Sequence, residues 1–169
     1  MINHGAAESI DRYVEIGKAE GAQMVVGGGI ASEGALAKGS FYRPTLFTGV
    51  RPDMRIAKEE IFGPVLSVIK VKDFDEAVRV NNGVTYGLSS SIFTQDVNRV
   101  FRAIRDLESG LLYVNAGTTG AEIHLPFGGV KGTGNGHREA GVAALDFFSE
   151  WKSVYVDYSG QLQRAQIDA

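Results

Sequence analysis

After Asn3, apolar positions recur at helical spacing. Ala6, Ile10, Tyr13, Val14 and Gly17 share one face, predicting a first helix capped by Asn3 and ended by Gly21. Gln23 to Val26 then reads as a short strand, broken by Gly27, Gly28 and Gly29. Residues 41–47 read as extended, with Pro44 confining them to an edge or irregular strand. Residues 54–59 predict a helical turn. From Pro64 the pattern becomes regular, and residues 65–71 form an apolar run of strand length. Asp73 with Glu76 makes a capping-box-like start to a helix that buries Phe74, Ala77 and Val78 and stops at Gly83. Residues 88–93 predict the next strand, Val97, Val100, Phe101 and Ile104 form the stripe of the next helix, and residues 111–114 predict a third strand.

Strand, helix, strand, helix, strand with short links predicts an α/β fold with right-handed crossovers, a mostly parallel sheet and flanking helices. In such sheets the functional crevice lies beyond the carboxyl ends of the strands. The loop from Val114 to about Gly136 leaves from such an end. A last helix is expected over residues 138–148, with Val142, Leu145 and Phe148 on one face. Residues 152–158 alternate Val154, Val156 and Tyr158 against Ser153, Tyr155 and Asp157, which predicts a terminal strand. Only Glu150 and Trp151 separate it from the helix, so its partner is expected outside its own domain, where association removes an exposed edge.

Composition narrows the classes. The chain has 169 residues, 44% hydrophobic and 22% charged, with a formal net charge of −3. One globular unit of ordinary soluble composition is expected, without a basic surface for nucleic acid or anionic lipid. No apolar run is long enough for a bilayer-spanning helix, and the first residues do not resemble a signal peptide, so a cytoplasmic protein is the default expectation. There is no cysteine, which removes disulfides, thiolate metal sites and cysteine nucleophiles together. Glycine is abundant, 22 residues, and clustered at 27–39 and 128–136, which suggests two long structured loops.

Candidate chemistry is sparse, and each signal has a plain alternative. Glu60, before a Phe-Gly-Pro turn, is either a carboxylate held rigidly for the vicinal hydroxyls of a ribose or a surface acid at a helix end. Phe62 either offers a flat face to a heterocycle or plugs the core. The run Gly132-Thr133-Gly134-Asn135-Gly136 fails the dinucleotide frame, because position 137 is His and no strand immediately precedes it. His124, His137 and Glu139 lack metal-ligand spacing, and no metal site is expected. Residues 118–124, small and hydroxylated around Gly120 and Ala121, either expose N–H groups as an anion-binding concavity or simply connect.

The runs Glu59-Glu60-Ile61-Phe62-Gly63-Pro64 and Pro126-Phe127-Gly128-Gly129 closely resemble the aldehyde dehydrogenase superfamily. Further similarities follow in order at Phe41-Tyr42-Arg43-Pro44-Thr45, Tyr86-Gly87-Leu88, Gly110-Leu111-Leu112-Tyr113-Val114-Asn115 and Gly136-His137-Arg138-Glu139 with Gly141. The resemblance implies that residues 1–150 are a partial catalytic domain, 151–159 an oligomerisation strand and 160–169 a tail. It implies that Glu60 binds the nicotinamide ribose of NAD or NADP, and that Phe62 packs near the nicotinamide. By the same likeness, Phe127 lines the substrate tunnel, residues 116–124 form an aldehyde anchor loop, and residues 152–158 join a neighbouring subunit. Gly120-Ala121-Glu122-Ile123 is similar to the semialdehyde branch, where backbone amides hold a substrate carboxylate, so Gly120 and Ala121 become substrate candidates beside Phe127.

The family attacks an aldehyde with a cysteine thiolate, passes hydride to NAD(P)+ and hydrolyses the thioester. The similarity covers only the family's C-terminal portion, so no catalytic residue is assigned here. Nucleophile, general base and cofactor domain are expected elsewhere. The chain alone is expected to be inactive and not to bind cofactor tightly. Two rivals from other classes are a non-catalytic assembly module using the terminal strand and a small independent dinucleotide-binding reductase.

Overall fold

The computed structural model describes residues 1–161. Helix α1 spans His4–Ala19 and is capped as its sequence demands, the Asn3 side chain accepting from the Ala6 N–H at 2.8 Å. Its stripe of Ala7, Ile10, Val14 and Gly17 is buried and meets Phe47, Met54 and Ile56, which together form the main core. Phe47 is fully buried, and Ile10, Val14 and Met54 nearly so.

Strands β1 (Gln23–Val26), β4 (Thr45–Thr48) and β5 (Val65–Ser67) make one sheet in the order β1-β4-β5. β1 runs antiparallel to β4, with a bulge between Met24 and Val26, and β5 runs parallel to β4. Strands β2 (Ile30–Ala31) and β3 (Phe41–Tyr42) pair antiparallel around a short 3₁₀ helix, Gly34–Lys38. The extended run expected over 41–47 is therefore split at Arg43 and Pro44 between two sheets. Pro44 has no N–H for a ladder, so the break falls where a strand donor is missing.

Helix α2 is a single turn, Arg55–Lys58. Helix α3, Phe74–Asn82, is capped by Asp73, whose carboxylate accepts from Glu76 N–H at 2.8 Å while Glu76 accepts from Lys72 N–H at 2.8 Å. Strands β6 (Ser89–Ile92) and β7 (Leu111–Val114) flank helix α4, Val97–Asp106, and pair in parallel. Asn81 and Asn82 hold this half together. Asn82 donates to the Asp106 carbonyl at 2.7 Å and accepts from Glu108 N–H at 2.9 Å, while Ser90 donates to Asn81 at 2.9 Å.

The α/β class holds, and the sheet divides: β5 pairs with β4, β6 with β7, and the antiparallel pairs β1–β4 and β2–β3 balance the two parallel ones. β5 is also shorter than the apolar run 65–71, its ladder ending at Ser67. The stripe on α4 is only half used: Ala103 is buried and Val100 partly so, whereas Val97, Phe101 and Ile104 are exposed.

Two C-terminal expectations need correction. The helix expected over 138–148 shrinks to α5, Ala143–Phe147, because Glu139 is instead bridged antiparallel to Phe127 and Ala140 adopts a positive φ of 63°. Residues 152–158 form no strand, since a ladder needs a second edge and no described residue supplies one. Tyr155 and Tyr158 lie open at 91% and 95% of their full exposure. From residue 162 onward the expected tail lies outside the described residues. Among the described residues no helix is long and apolar enough to cross a membrane.

Candidate functional site

The segment from Glu59 to Gly63 alternates direction. Glu59 is exposed but tied down, its carboxylate accepting from Tyr13 Oη at 2.8 Å and from Arg55 Nε and Nη2 at 2.8 and 2.9 Å. The Arg55 guanidinium holds Glu59 down at about 2, far below the usual carboxylate range, and the Tyr13 hydroxyl adds to this. The same contacts raise Tyr13, chiefly through its bond to Glu59. Arg55 also lies 5.7 Å from the centre of the Tyr13 ring. Glu60 is exposed, Ile61 packs against the core, and Phe62 is 82% exposed.

Phe62 is therefore no core plug. It sits at φ 56°, a left-handed conformation costing a bulky residue about 1–2 kcal/mol. Gly63 then lies directly on α1, where a Cβ would fall 2.4 Å from Ile10 Cδ1.

Glu60 overlooks a cleft of about 450 Å³ that it shares with Lys58, Tyr86, Leu88, Gly132 and Thr133. The glycine-rich loop is brought there by backbone bonds. Val130 N–H donates to Gly87 O at 2.9 Å, Gly132 N–H to Thr85 O at 2.8 Å, and Thr133 Oγ1 accepts from Gly87 N–H at 3.0 Å. This run, unlike a dinucleotide loop, is a packing bridge between the start of β6 and the Phe127 region.

A second cleft, of about 720 Å³, opens beyond β7 and brings Gly120, Ala121 and Phe127 together with Tyr113. Asn115 turns the chain out of β7 at φ 54°, its side chain bonding both backbone groups of Thr94 at 2.8 and 3.0 Å. Tyr113 Oη donates to the Gly120 carbonyl at 2.6 Å, and Gly120 has φ 88°. Gly141 N–H donates to Ile123 O at 2.9 Å, so the loop is held at both ends. Phe127 is fixed by its bridge to Glu139, with N···O distances of 2.6 and 2.8 Å. A third cleft, about 600 Å³, shares Leu88, Gly132 and Thr133 with the first and Phe127 with the second.

Four of the five singled-out residues, Glu60, Gly120, Ala121 and Phe127, thus line these clefts, whereas Phe62 projects into solvent from the Glu60 loop. Glu60 supplies a carboxylate that has no partner among the described residues and Phe62 an open aromatic face, the pair of chemistries that a ribose and a flat heterocycle require, so these residues fit a nicotinamide nucleotide. Three contributors escaped the sequence reading: Glu59, Tyr113 and the Asn115 clamp. For Asn115 a local signal existed, since Asn tolerates the left-handed region directly after a strand. Glu59 and Tyr113 act through partners 46 and 7 residues away. Among the described residues no cluster of three or more His, Cys, Asp or Glu is placed to hold a metal.

Comparison with known proteins places this geometry. The sequence profile of the aldehyde dehydrogenase family matches residues 1–154. An α-ketoglutarate semialdehyde dehydrogenase of Haloferax volcanii is 48% identical over 159 residues, covering 94% of this chain and 33% of that protein. A betaine aldehyde dehydrogenase of Rhizobium leguminosarum bv. trifolii is 45% identical over 92% of this chain and 31% of its own length. Among solved structures, an NAD-dependent aldehyde dehydrogenase from Sinorhizobium meliloti superposes with a TM-score of 0.88 at 38% identity, covering 96% of this chain and 31% of that one. An indole-3-acetaldehyde dehydrogenase complexed with NAD+ gives a TM-score of 0.85 at 34% identity, over 91% and 30%. The chain spans about a third of the length of the relatives it matches. Over that third, sequence and fold agree, and the chain belongs to the aldehyde dehydrogenase family.

Proposed function

We propose that these residues form the C-terminal cofactor-facing and substrate-facing walls of an NAD(P)-dependent aldehyde dehydrogenase, which oxidises an aldehyde to its acid. The observation that carries this reading is the pair of clefts that share lining residues with a third, one overlooked by the Glu60 carboxylate, unpartnered among the described residues, and the other lined by Phe127, Gly120 and Ala121. Glu60 accepts the ribose hydroxyls, and Phe62 packs beside the nicotinamide ring. NAD(P)+, when bound, takes up the hydride of the oxidation. Phe127 excludes water from the aldehyde end, which strengthens polar interactions there. The thiolate nucleophile comes from outside these 169 residues, because the chain has no cysteine.

A carboxylate-bearing semialdehyde is the favoured substrate. Support comes from the Haloferax relative and from a Bacillus subtilis α-ketoglutaric semialdehyde dehydrogenase, 43% identical over 85% of this chain. The loop around Gly120 is tied down by Tyr113 and Gly141, and such an ordered loop suits backbone recognition of an anion.

The test joins residues 1–159 to the N-terminal two-thirds of the Haloferax enzyme, in place of the matching third. The joined protein is expected to reduce NAD(P)+ with α-ketoglutarate semialdehyde and to prefer it to betaine aldehyde. Loss of all turnover in a folded joined protein would remove the enzyme reading; a preference for betaine aldehyde would remove the substrate assignment. A second reading, self-assembly through residues 152–158, is favoured by their unpaired exposure. It predicts that removing residues 152–169 lowers the mass seen by light scattering.

A further inference from the structure

Two adjacent glutamates, Glu59 and Glu60, are chemically alike and line the same cleft, yet among the described residues Glu59 is bonded to Tyr13 and Arg55 while Glu60 has no partner. Resting on the function proposed above, we propose that Glu59 is the positioning residue, held by Tyr13 and Arg55, that aims the Glu60 carboxylate and the Phe62 ring.

Helix α2 has only four residues, too few to persist without outside support. Glu20, which caps the end of α1, supplies part of it by accepting the Arg55 N–H with both carboxylate oxygens, at 3.0 and 3.1 Å. The Arg55 side chain then forks onto Glu59, the residue that ends α2, and the Glu59 N–H closes the turn on Arg55 O at 2.8 Å. Tyr13, one α1 turn before Gly17, adds its hydroxyl to the same Glu59 oxygen as Arg55 Nη2. Glu59 is therefore fixed to both helices.

On the far side the next fixed point is Gly63, wedged against Ile10 and followed by Pro64, whose carbonyl accepts from Thr45 N–H at 2.8 Å. Only Glu60, Ile61 and Phe62 lie between these anchors. With Ile61 packed inward, Glu60 and Phe62 are left facing out, and Phe62 is held in a left-handed conformation that a free loop would abandon. The precision of such a loop matters because small misplacements of a binding group cost far more than the contact itself.

Two measurements decide the proposal. In the 169-residue chain, ¹⁵N relaxation at Ile61, Phe62 and Gly63 is expected to give order parameters near 0.85, falling below about 0.6 in Y13F and E59A, with Ala103 in α4 unchanged. In the joined protein, E59A is expected to raise KM for NAD+ about tenfold and Y13F about threefold, while kcat at saturating NAD+ and KM for the aldehyde stay within about twofold. K18Q, whose Lys18 pairs only with Glu15 on the exposed face of α1, is expected to match the parent. A merely structural Glu59 would lower thermal stability and leave KM for NAD+ where it was, which overturns the proposal. So does an order parameter at Phe62 that is unmoved in Y13F, the milder variant that retains Arg55–Glu59. An inactive joined protein would refute the enzyme reading instead, and the relaxation data would then decide the role of Glu59 alone.

Discussion

At the scale of single residues, the Glu60 loop depends on two opposite kinds of contact, an exposed ionic clamp and a tight apolar one. Glu59 ionises far below its ordinary value of 4.5, at about 2, because Arg55 and then Tyr13 bond its charged form. A depressed carboxylate contributes stability above its ordinary pKa and loses it as pH falls through the folded value. The stability difference between the parent and E59Q is therefore expected to be constant above about pH 4.5 and to shrink between there and about pH 2. Urea midpoints across that range check it. Since the pair is exposed at the surface, added salt is also expected to narrow the difference. At Gly63 the expectation has the other sign of cause: Gly63→Ala forces a methyl against buried Ile10 and is expected to cost about 1–3 kcal/mol by urea unfolding.

At the scale of elements, burial separates the two halves. Phe47 on β4 is completely enclosed by α1 and α2 residues, so Phe47→Ala is expected to cost about 3–5 kcal/mol. Phe101 on α4 has as apolar a sequence setting but is 67% exposed, and Phe101→Ser is expected to stay within about 0.5 kcal/mol. Equilibrium denaturation of both variants tests the contrast. This also shows what the sequence could convey. The caps Asn3 and Asp73 and the stripe of α1 were legible because each is set by neighbours a few residues away, and strands β1 and β7 because their apolar runs are bounded by local breaks. The division at Pro44, the shortened α5 and the missing strand at 152–158 were not, because each turns on a distant or absent partner. Periodicity reports that Val97, Phe101 and Ile104 line up; it cannot report whether anything covers them. Among site residues the same division holds. Glu60, Phe62 and Phe127 stand out as candidates through their motifs, whereas the placement of Glu59 depends on Tyr13, which no local pattern reveals.

At the scale of the whole molecule, the chain exposes 12374 Å², against about 8,100 Å² for a folded monomer of its 18.1 kDa by the usual scaling. Exposed large hydrophobic residues include Leu145, Phe148, Trp151, Val154 and Val156 near the C-terminal end. Apolar surface on this scale marks faces that a soluble protein covers. Concentration-dependent self-association is expected, weakened when residues 152–169 are removed, with sedimentation velocity as the check. The proposed site has the same character as the surface: on that reading Glu60, Phe62, Gly120, Ala121 and Phe127 are walls completed from outside this chain, which has no cysteine to serve as nucleophile. The most direct test is to incubate the purified 169-residue chain with NAD+ or NADP+ and α-ketoglutarate semialdehyde while following nicotinamide reduction. No aldehyde-dependent reduction is expected, whereas sustained turnover by the chain alone would contradict the account.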